Sequence, residues 1–254
     1  MSTEKIKWGF STIGCPDWSL KEAADFGLNN GYPLLEVRIS GKDFAERDLL
    51  SQLGEEKRCF LLGTSFGLIT DSPDYRQMLA DCANLAAECN IPYVRVFGGC
   101  GFSEQLDDNK IDCAKRNLDF FAKLDLPVQL LLETHDLFSS AKRVSYLFSK
   151  LGCSLPVIWD TYHTYFTGKE TLTRSWELLK EHIIDVHVKD GSPETGLTLA
   201  GAGKFPLADL FKLLKEENYS GMVTCEHEKM WHKELPELPE AFRALDAFKP
   251  ILTD

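Results

Sequence analysis

Residues 157–188 have the sequence VIWDTYHTYFTGKETLTRSWELLKEHIIDVHV. It begins with a short apolar run, Val157–Asp160, continues into a segment of helical periodicity, Thr171–Lys180, and ends in a second apolar run, Ile183–Val188. Both runs are nearly continuous rather than alternating, which is typical of parallel strands that are covered on both faces. The stretch therefore predicts a strand, a helix and a second strand parallel to the first.

The same alternation of apolar run and helical segment extends over the whole chain. The other apolar runs are Trp8–Ile13, Leu34–Ile39, Arg58–Thr64, Tyr93–Phe97, Val128–Leu132 and Met222–Cys225. The other helical segments are Leu20–Leu28, Phe44–Leu53, Tyr75–Cys89, Asp112–Leu124, Ala141–Leu151, Leu207–Glu216 and Pro239–Phe248. Eight pairs in 254 residues give about 32 residues per unit, which predicts one α/β domain over residues 1–254, a single (β/α)8 TIM barrel. A doubly wound open sheet is the competing interpretation, weakened because no G-x-G-x-x-G follows the first run.

Composition and charge limit the classes of molecule that the protein is expected to bind. The chain carries 39 acidic and 28 basic residues, a net charge of −11 that opposes binding to nucleic acid. Its first residues lack the apolar core of a signal peptide, and no stretch approaches the ~20 apolar residues of a membrane helix. The eight cysteines contain no C-x-x-C pair. We therefore expect a cytoplasmic protein, without a membrane partner, whose cysteines are reduced and mostly buried.

Four residues of metal-binding type fall on consecutive strands of the predicted barrel. They are Glu133, Asp160, His187 and Glu226, at spacings of 27, 27 and 39 residues. Each one alone is explained as well by a helix cap or a core histidine. Together they would converge at one end of the barrel, where three carboxylates need a counter-charge. We expect one divalent ion, preferably Mn²⁺, with Mg²⁺, Co²⁺ or Zn²⁺ as alternatives.

Six further side chains are candidates for substrate binding at that end, although a structural role explains each equally well. They are His163, Lys189, His135, Glu36, Arg95 and Trp18. His135 and Lys189 follow two proposed ligands by two residues and should point the same way. The loop between Gly191 and Gly203 contains four glycines and no helical or strand periodicity. It is predicted to be a mobile lid.

Six motifs, in this order, connect the chain with a known family. They are VRVFGG at 94–99, LETH at 132–135, WDTYH at 159–163, HVKD at 187–190, GAGKFP at 201–206 and EHEKMWH at 226–232. The chain thereby resembles the xylose-isomerase-like barrels, in particular the sugar phosphate isomerase/epimerase group.

The resemblance implies a divalent metal held by the same four residues and a small-molecule partner, a sugar or sugar phosphate. It implies an isomerase or epimerase in which Glu133 and Glu226 move a proton beside a carbonyl through a metal-stabilised enediolate. His163 and Lys189 would hold substrate oxygens. The epimerases carry an arginine six residues after the histidine ligand, where this chain has Pro193, so the substrate and the exact reaction stay open.

Three other functions are compatible with this kind of barrel. A metal-dependent dehydratase of an inosose or a dehydroshikimate-like acid would use the same chemistry and expel a hydroxyl. An abasic-site endonuclease would need histidines where this chain has Thr64–Phe66 and Phe97–Gly99. A non-catalytic sugar-binding barrel would have little use for all four ligands. A homo-oligomer is compatible with each interpretation.

Overall fold

Eight parallel strands close into a barrel in the computed structural model, which describes residues 6–39 and 44–252. Each barrel strand pairs with the next barrel strand along the chain, and the last pairs with the first. The barrel strands are β1 (Lys7–Ser11), β2 (Leu34–Arg38), β3 (Cys59–Gly67), β4 (Tyr93–Phe97), β5 (Gln129–Glu133), β6 (Val157–Asp160), β7 (Ile183–Val188) and β10 (Met222–Cys225). A two-stranded antiparallel hairpin, β8 (Asp190–Ser192) and β9 (Gly196–Thr198), follows β7.

Helices alternate with the strands throughout the described residues. They are α1 (Leu20–Asn29), α2 (Arg47–Glu55), α3 (Pro73–Glu88), α4 (Asp108–Ala122), α5 (Ala141–Leu151), α6 (Leu172–Leu179), α7 (Leu207–Glu216) and α8 (Leu238–Asp246). Several begin at polar caps that the sequence supplies. Ser19 and Glu22 form a capping box on α1, and Asp107 accepts a hydrogen bond from the backbone N–H of Lys110 on α4.

The single (β/α)8 TIM barrel predicted from the sequence is confirmed, and the closed strand order rules out the open sheet. The predicted segments Ala141–Leu151 and Leu207–Glu216 match α5 and α7 residue for residue. The largest strand difference is in β3, which continues to Gly67 through an irregularity in its pairing with β4. The cysteines are mostly buried as predicted, with only Cys153 exposed. No helix among the described residues is both long and apolar enough to span a membrane.

The barrel interior changes from apolar to polar along the strands. An apolar cluster fills its lower part and contains Phe60, Leu61, Leu131, Ile158 and Met222. Because side chains alternate across a strand, residues two positions apart face the same side. The inward positions above the apolar cluster thus form two layers. We call Glu36, Arg95, Glu133, His187 and Glu226 the lower tier, and the residues two positions later, Arg38, Phe97, His135, Lys189 and Glu228, the upper tier.

Candidate metal centre and substrate cavity

The four predicted ligands come together at the carboxyl end of the barrel. Glu133 ends β5, Asp160 ends β6, His187 lies in β7 and Glu226 follows β10. One potential ligand atom from each lies within 4.8 Å of the others, and all four residues are buried. In the described part of the chain, no second group of three or more such residues comes together in this way.

The two nitrogens of the His187 imidazole face different carboxylates. Its Nδ1 faces the cluster, 3.2 Å from Glu226 Oε1 and 4.0 Å from Glu133 Oε1. Its Nε2 points away, 3.1 Å from Glu36 Oε2 and 3.4 Å from Asp185 Oδ2. A carboxylate close to the distal nitrogen is the arrangement that usually orients a histidine that binds a metal.

The buried polar atoms and the net negative charge of the cluster are suited to binding a cation. Glu133 Oε2, Asp160 Oδ2 and both ring nitrogens of His187 are buried, and none has a hydrogen bond of acceptable geometry to the described residues. The two carboxylate oxygens are instead in ion-pair contact with Arg95 and Lys189, at 3.0 and 2.7 Å.

Glu36 and Asp185 lie beside the three acidic ligands, so five buried carboxylates face three buried cations. These are the side chains of Arg95 and Lys189 and the imidazole of His187, whose pKa, despite burial, the neighbouring carboxylates raise well above its usual value. Buried negative charge in such excess is unfavourable unless it is protonated or neutralised. A divalent ion would remove most of the imbalance.

The pKa values of the glutamates reflect the same crowding. Burial raises the pKa of Glu133 to about 7, although Arg95 opposes the shift. Glu226 is equally desolvated, but the charges of Lys189 and His187 hold its pKa well below the usual value. Burial therefore favours the protonated form of Glu133, and a bound cation would favour its ionised form.

Arg95 and Glu36 lie in the lower tier rather than at the mouth of the site. Glu36, expected to bind substrate, is fully buried in β2, where its Oε1 accepts a hydrogen bond from Arg95 Nη1 at 2.8 Å. The same Nη1 lies 3.0 Å from Glu133 Oε2. Glu36 does not line the cavity, although it belongs to the same tier as three of the ligands, whereas Arg95 reaches the cavity floor. The ion pair of Glu36 and Arg95 is thus part of the barrel interior and contacts the predicted ligand Glu133 through Arg95.

Lys189 bridges the two tiers. Its ammonium lies 2.7 Å from Asp160 Oδ2 and 2.6 Å from Glu226 Oε2, and it donates to Glu228 Oε1 at 2.5 Å. Burial alone would lower the pKa of Lys189, but these carboxylates hold it well above the usual value. The side chain is therefore a permanent cation directly beside two of the predicted ligands.

A cavity of about 220 Å³ opens above the cluster. The whole upper tier lines it, together with Ile13, Ser65 and Trp231. His135 stacks on Phe97, with ring centroids 4.4 Å apart, and its other neighbour is the ring of His163. His163 is not a lining residue, but its Nε2 lies 3.4 Å from Lys189 Nζ.

Trp18 was expected in this cavity, and the structure places it elsewhere. It packs edge-to-face on Phe26, with ring centroids 5.2 Å apart, and does not line the cavity. Its position in the turn between β1 and α1 gave no signal of this packing. Of the six predicted substrate contacts, Arg95, His135 and Lys189 line the cavity.

The comparison with protein families agrees with this architecture. Residues 31–249 match the model of the Xylose isomerase-like TIM barrel. The chain belongs to this family. No curated protein shows significant sequence similarity to it.

Solved structures with the same fold have low sequence identity to this xylose isomerase-like barrel. The probable 3-DHS dehydratase AsbF from Bacillus anthracis has a TM-score of 0.75 at 17% identity, covering 98% of this chain and 99% of its own. The D-allulose 3-epimerase from Methylomonas sp., in complex with D-allulose, has a TM-score of 0.75 at 15% identity, covering 97% of each chain. The IolI protein with a bound zinc atom has a TM-score of 0.70 at 15% identity, covering 98% of each.

Three residues of this xylose isomerase-like barrel escaped the sequence interpretation. Asp185 accepts a hydrogen bond from Thr224 and supports His187 from below. Gly63 lies beside the ion pair of Glu36 and Arg95, where a Cβ atom would be only 2.7 Å from Glu36 Oε1. Arg38 reaches the cavity from the end of β2. Asp185 and Arg38 could have been found by extending the two-residue alternation from His187 and Glu36, but Gly63 gives no such signal.

The segment predicted to be a lid has more structure than its sequence suggested. It contains the β8–β9 hairpin, and the buried carboxylate of Asp190 accepts hydrogen bonds from the backbone N–H groups of Gly191, Gly201, Gly203 and Phe205 at 2.7–3.1 Å. None of residues 191–203 lines the cavity. The sequence did not predict the hairpin, which Asp190 organises from the position directly before the segment. That the segment is a mobile lid stays a prediction.

Proposed function

We propose that the protein is a divalent-metal-dependent isomerase or epimerase of a small sugar or sugar phosphate. The reaction would transfer a proton at the carbon next to a carbonyl through an enediolate. The observation that carries this proposal is the buried cluster of Glu133, Asp160, His187 and Glu226 at the floor of a cavity of small-molecule size. The neighbouring folds of a sugar epimerase and a dehydratase are compatible with it.

The same four residues would hold the metal. Three carboxylates and one imidazole form a hard donor set, and we propose Mn²⁺ as the resident ion. A divalent ion held by these residues would supply Lewis acidity for polarising a substrate carbonyl. Glu36 and Asp185 would position His187 through its Nε2.

Glu133 and Glu226 would move the proton. They approach the cluster from β5 and from the end of β10, which are separated by β6 and β7 around the barrel. A substrate lying over the cluster would therefore meet one carboxylate on each side. One would remove a proton from one face of the carbon, and the other would return a proton to the opposite face.

Lys189 and His135 would orient the substrate. Both line the cavity directly above the cluster, and the Lys189 ammonium is held in place by three carboxylates. His163 would support Lys189 from the side, since its Nε2 lies 3.4 Å from the ammonium nitrogen. Hydrogen bonds from these groups to substrate hydroxyls would fix the carbon that loses its proton.

One observation favours the dehydratase as a second candidate. The Lys189 ammonium lies beside Asp160 and Glu226, so it could donate a hydrogen bond to a departing hydroxyl next to the carbon that has lost its proton and stabilise the negative charge on its oxygen. Epimerisation needs no such donor. The two functions begin with the same proton removal and differ in whether a hydroxyl then leaves or a proton returns.

A deuterium screen tests both candidates. The Mn²⁺-loaded protein is incubated in D₂O with keto-sugars, aldoses and their phosphates, and the products are followed by NMR. Incorporation of deuterium without loss of water supports the isomerase, and loss of a hydroxyl supports the dehydratase. His187→Ala, purified in parallel, controls for contaminating enzymes. If no substrate exchanges faster with the wild type than with this variant, the proposed function is wrong.

A further inference from the structure

Three cationic side chains line the cavity, and two of them are already neutralised. Arg95 is paired with Glu36 and Glu133, at 2.8 and 3.0 Å. Lys189 is paired with Asp160, Glu226 and Glu228. The third cation is Arg38, which differs from both.

Arg38 hydrogen-bonds only to neutral groups. One guanidinium nitrogen donates to Ser65 Oγ, and another lies 3.4 Å from the Gly63 carbonyl oxygen. Within residues 6–39 and 44–252, no carboxylate lies within ion-pair distance of this side chain. Burial and the neighbouring charge of Arg95 lower the pKa of Arg38, but a guanidinium remains charged at neutral pH.

The position of Arg38 places this charge where a substrate would meet it. It follows Glu36 by two residues on β2, so it belongs to the upper tier, one layer above the predicted metal ligands. Ser65, its hydrogen-bond partner on β3, lines the same cavity. Among the described residues, this half-buried charge has no carboxylate in direct contact, although Glu36 and Glu133 act on it from a greater distance. An anionic ligand would supply a direct counter-ion.

We propose that Arg38, together with the Ser65 hydroxyl, binds an anionic group of the substrate. The substrate would then be an acid sugar or a sugar phosphate rather than a neutral sugar. This inference rests on the proposed function for the reaction but not for the binding. The planar guanidinium fits carboxylate and phosphate equally well, because both accept two parallel hydrogen bonds. The competing explanation is that Arg38 only ties β2 to β3.

Three polyols of the same carbon skeleton separate these explanations by calorimetry with the Mn²⁺-loaded full chain. Sorbitol is neutral, gluconate carries a carboxylate, and sorbitol 6-phosphate carries a phosphate. We expect one of the two anions to bind at least ~10-fold more tightly than sorbitol, and the preferred anion identifies the substrate class. Arg38→Gln should remove this preference, whereas Arg38→Lys should retain part of it.

Arg116→Gln is the matched control, because Arg116 is an exposed arginine paired with Asp71 on the outside of the barrel. It should leave all three affinities unchanged. If the metal alone bound the anion, Arg38→Gln would still bind it more tightly than sorbitol, and that result would overturn the proposal. So would equal binding of all three polyols by the wild type. If Arg38→Gln does not fold, Ser65→Ala decides, since an unchanged anion preference in that variant would also overturn it.

The probes contain no carbonyl group that could be enolised, so their binding does not depend on turnover. Arg38-dependent anion binding without any deuterium exchange would refute the proposed reaction and leave this inference standing. Deuterium exchange with neutral sugars at equal rates in the wild type and Arg38→Gln would support the proposed reaction and refute this inference.

Discussion

Gly63→Ala is the substitution that most directly tests the buried support of the cluster. Its Cβ atom would lie 2.7 Å from Glu36 Oε1 and 3.3 Å from Arg95 Nη2. Ordinary contacts of this kind begin near 3.4 Å, so the carboxylate oxygen must retreat by about 0.7 Å. It has no free direction, because its partner oxygen lies 3.1 Å from His187 Nε2.

The cost arises from two effects. Crowding a packed interior costs about 1–3 kcal/mol. Weakening a hydrogen bond to a charged, buried group, here from Arg95 Nη1 to Glu36 Oε1 at 2.8 Å, costs about 1.5–3 kcal/mol when it is lost completely. We expect a loss of about 2–4 kcal/mol in the free energy of unfolding, or about 5–15 °C in Tm for a chain of this size. Displacing the group behind His187 should also weaken metal binding about 10-fold.

Calorimetric melting and Mn²⁺ titration measure the two quantities. Gly101→Ala is the matched control, since Gly101 is exposed and a Cβ atom there would contact nothing within 4 Å. Adding Glu36→Asp to Gly63→Ala shortens the crowded side chain and should recover part of the stability. If Gly63→Ala melts like Gly101→Ala and binds Mn²⁺ like the wild type, the support attributed to Glu36 does not exist.

Three further predictions address the cluster and the segment after β7. His187→Ala should lose most of the one equivalent of metal that elemental analysis is expected to find per wild-type chain; full retention would contradict the assignment. Glu133→Gln and Glu226→Gln should each reduce turnover at least ~10²-fold and differ in which substrate epimer still exchanges its α-proton in D₂O. Normal exchange of both epimers in Glu226→Gln would point to another base, such as Glu228. Asp190→Ala should increase hydrogen exchange of the backbone N–H groups at 191, 201, 203 and 205, and unchanged protection would show that the carboxylate does not organise the segment.

The barrel was predictable because the same pattern, an apolar run followed by a helical segment, recurs eight times along the chain. Each apolar run and each helical segment carries its own signal, and a barrel needs only that these signals alternate eight times. The hairpin after β7 was not predictable in the same way. It depends on four hydrogen bonds to Asp190 from residues up to 15 positions away, and no local pattern encodes such contacts.

The candidate site was predictable to the extent that spacing determines it. One repeat unit separates Glu133 from Asp160 and Asp160 from His187, so the cluster could be proposed from sequence. The role of Glu36 could not, because its partners Arg95 and His187 are brought to it by the register of different strands. A buried ion pair of this kind and an exposed substrate contact use the same residue types. Only burial distinguishes them.

In the proposed reaction, the two tiers would divide proton transfer from substrate recognition along single strands. A change at Arg38, Phe97 or His135 would then alter which molecule binds, while the residue two positions earlier would continue to support the proton transfer. Lys189 is the exception, because it touches both layers. A directed-evolution library restricted to positions 38, 97, 135 and 228 should therefore yield altered substrate preference at unchanged metal content, whereas variation at 189 should affect both.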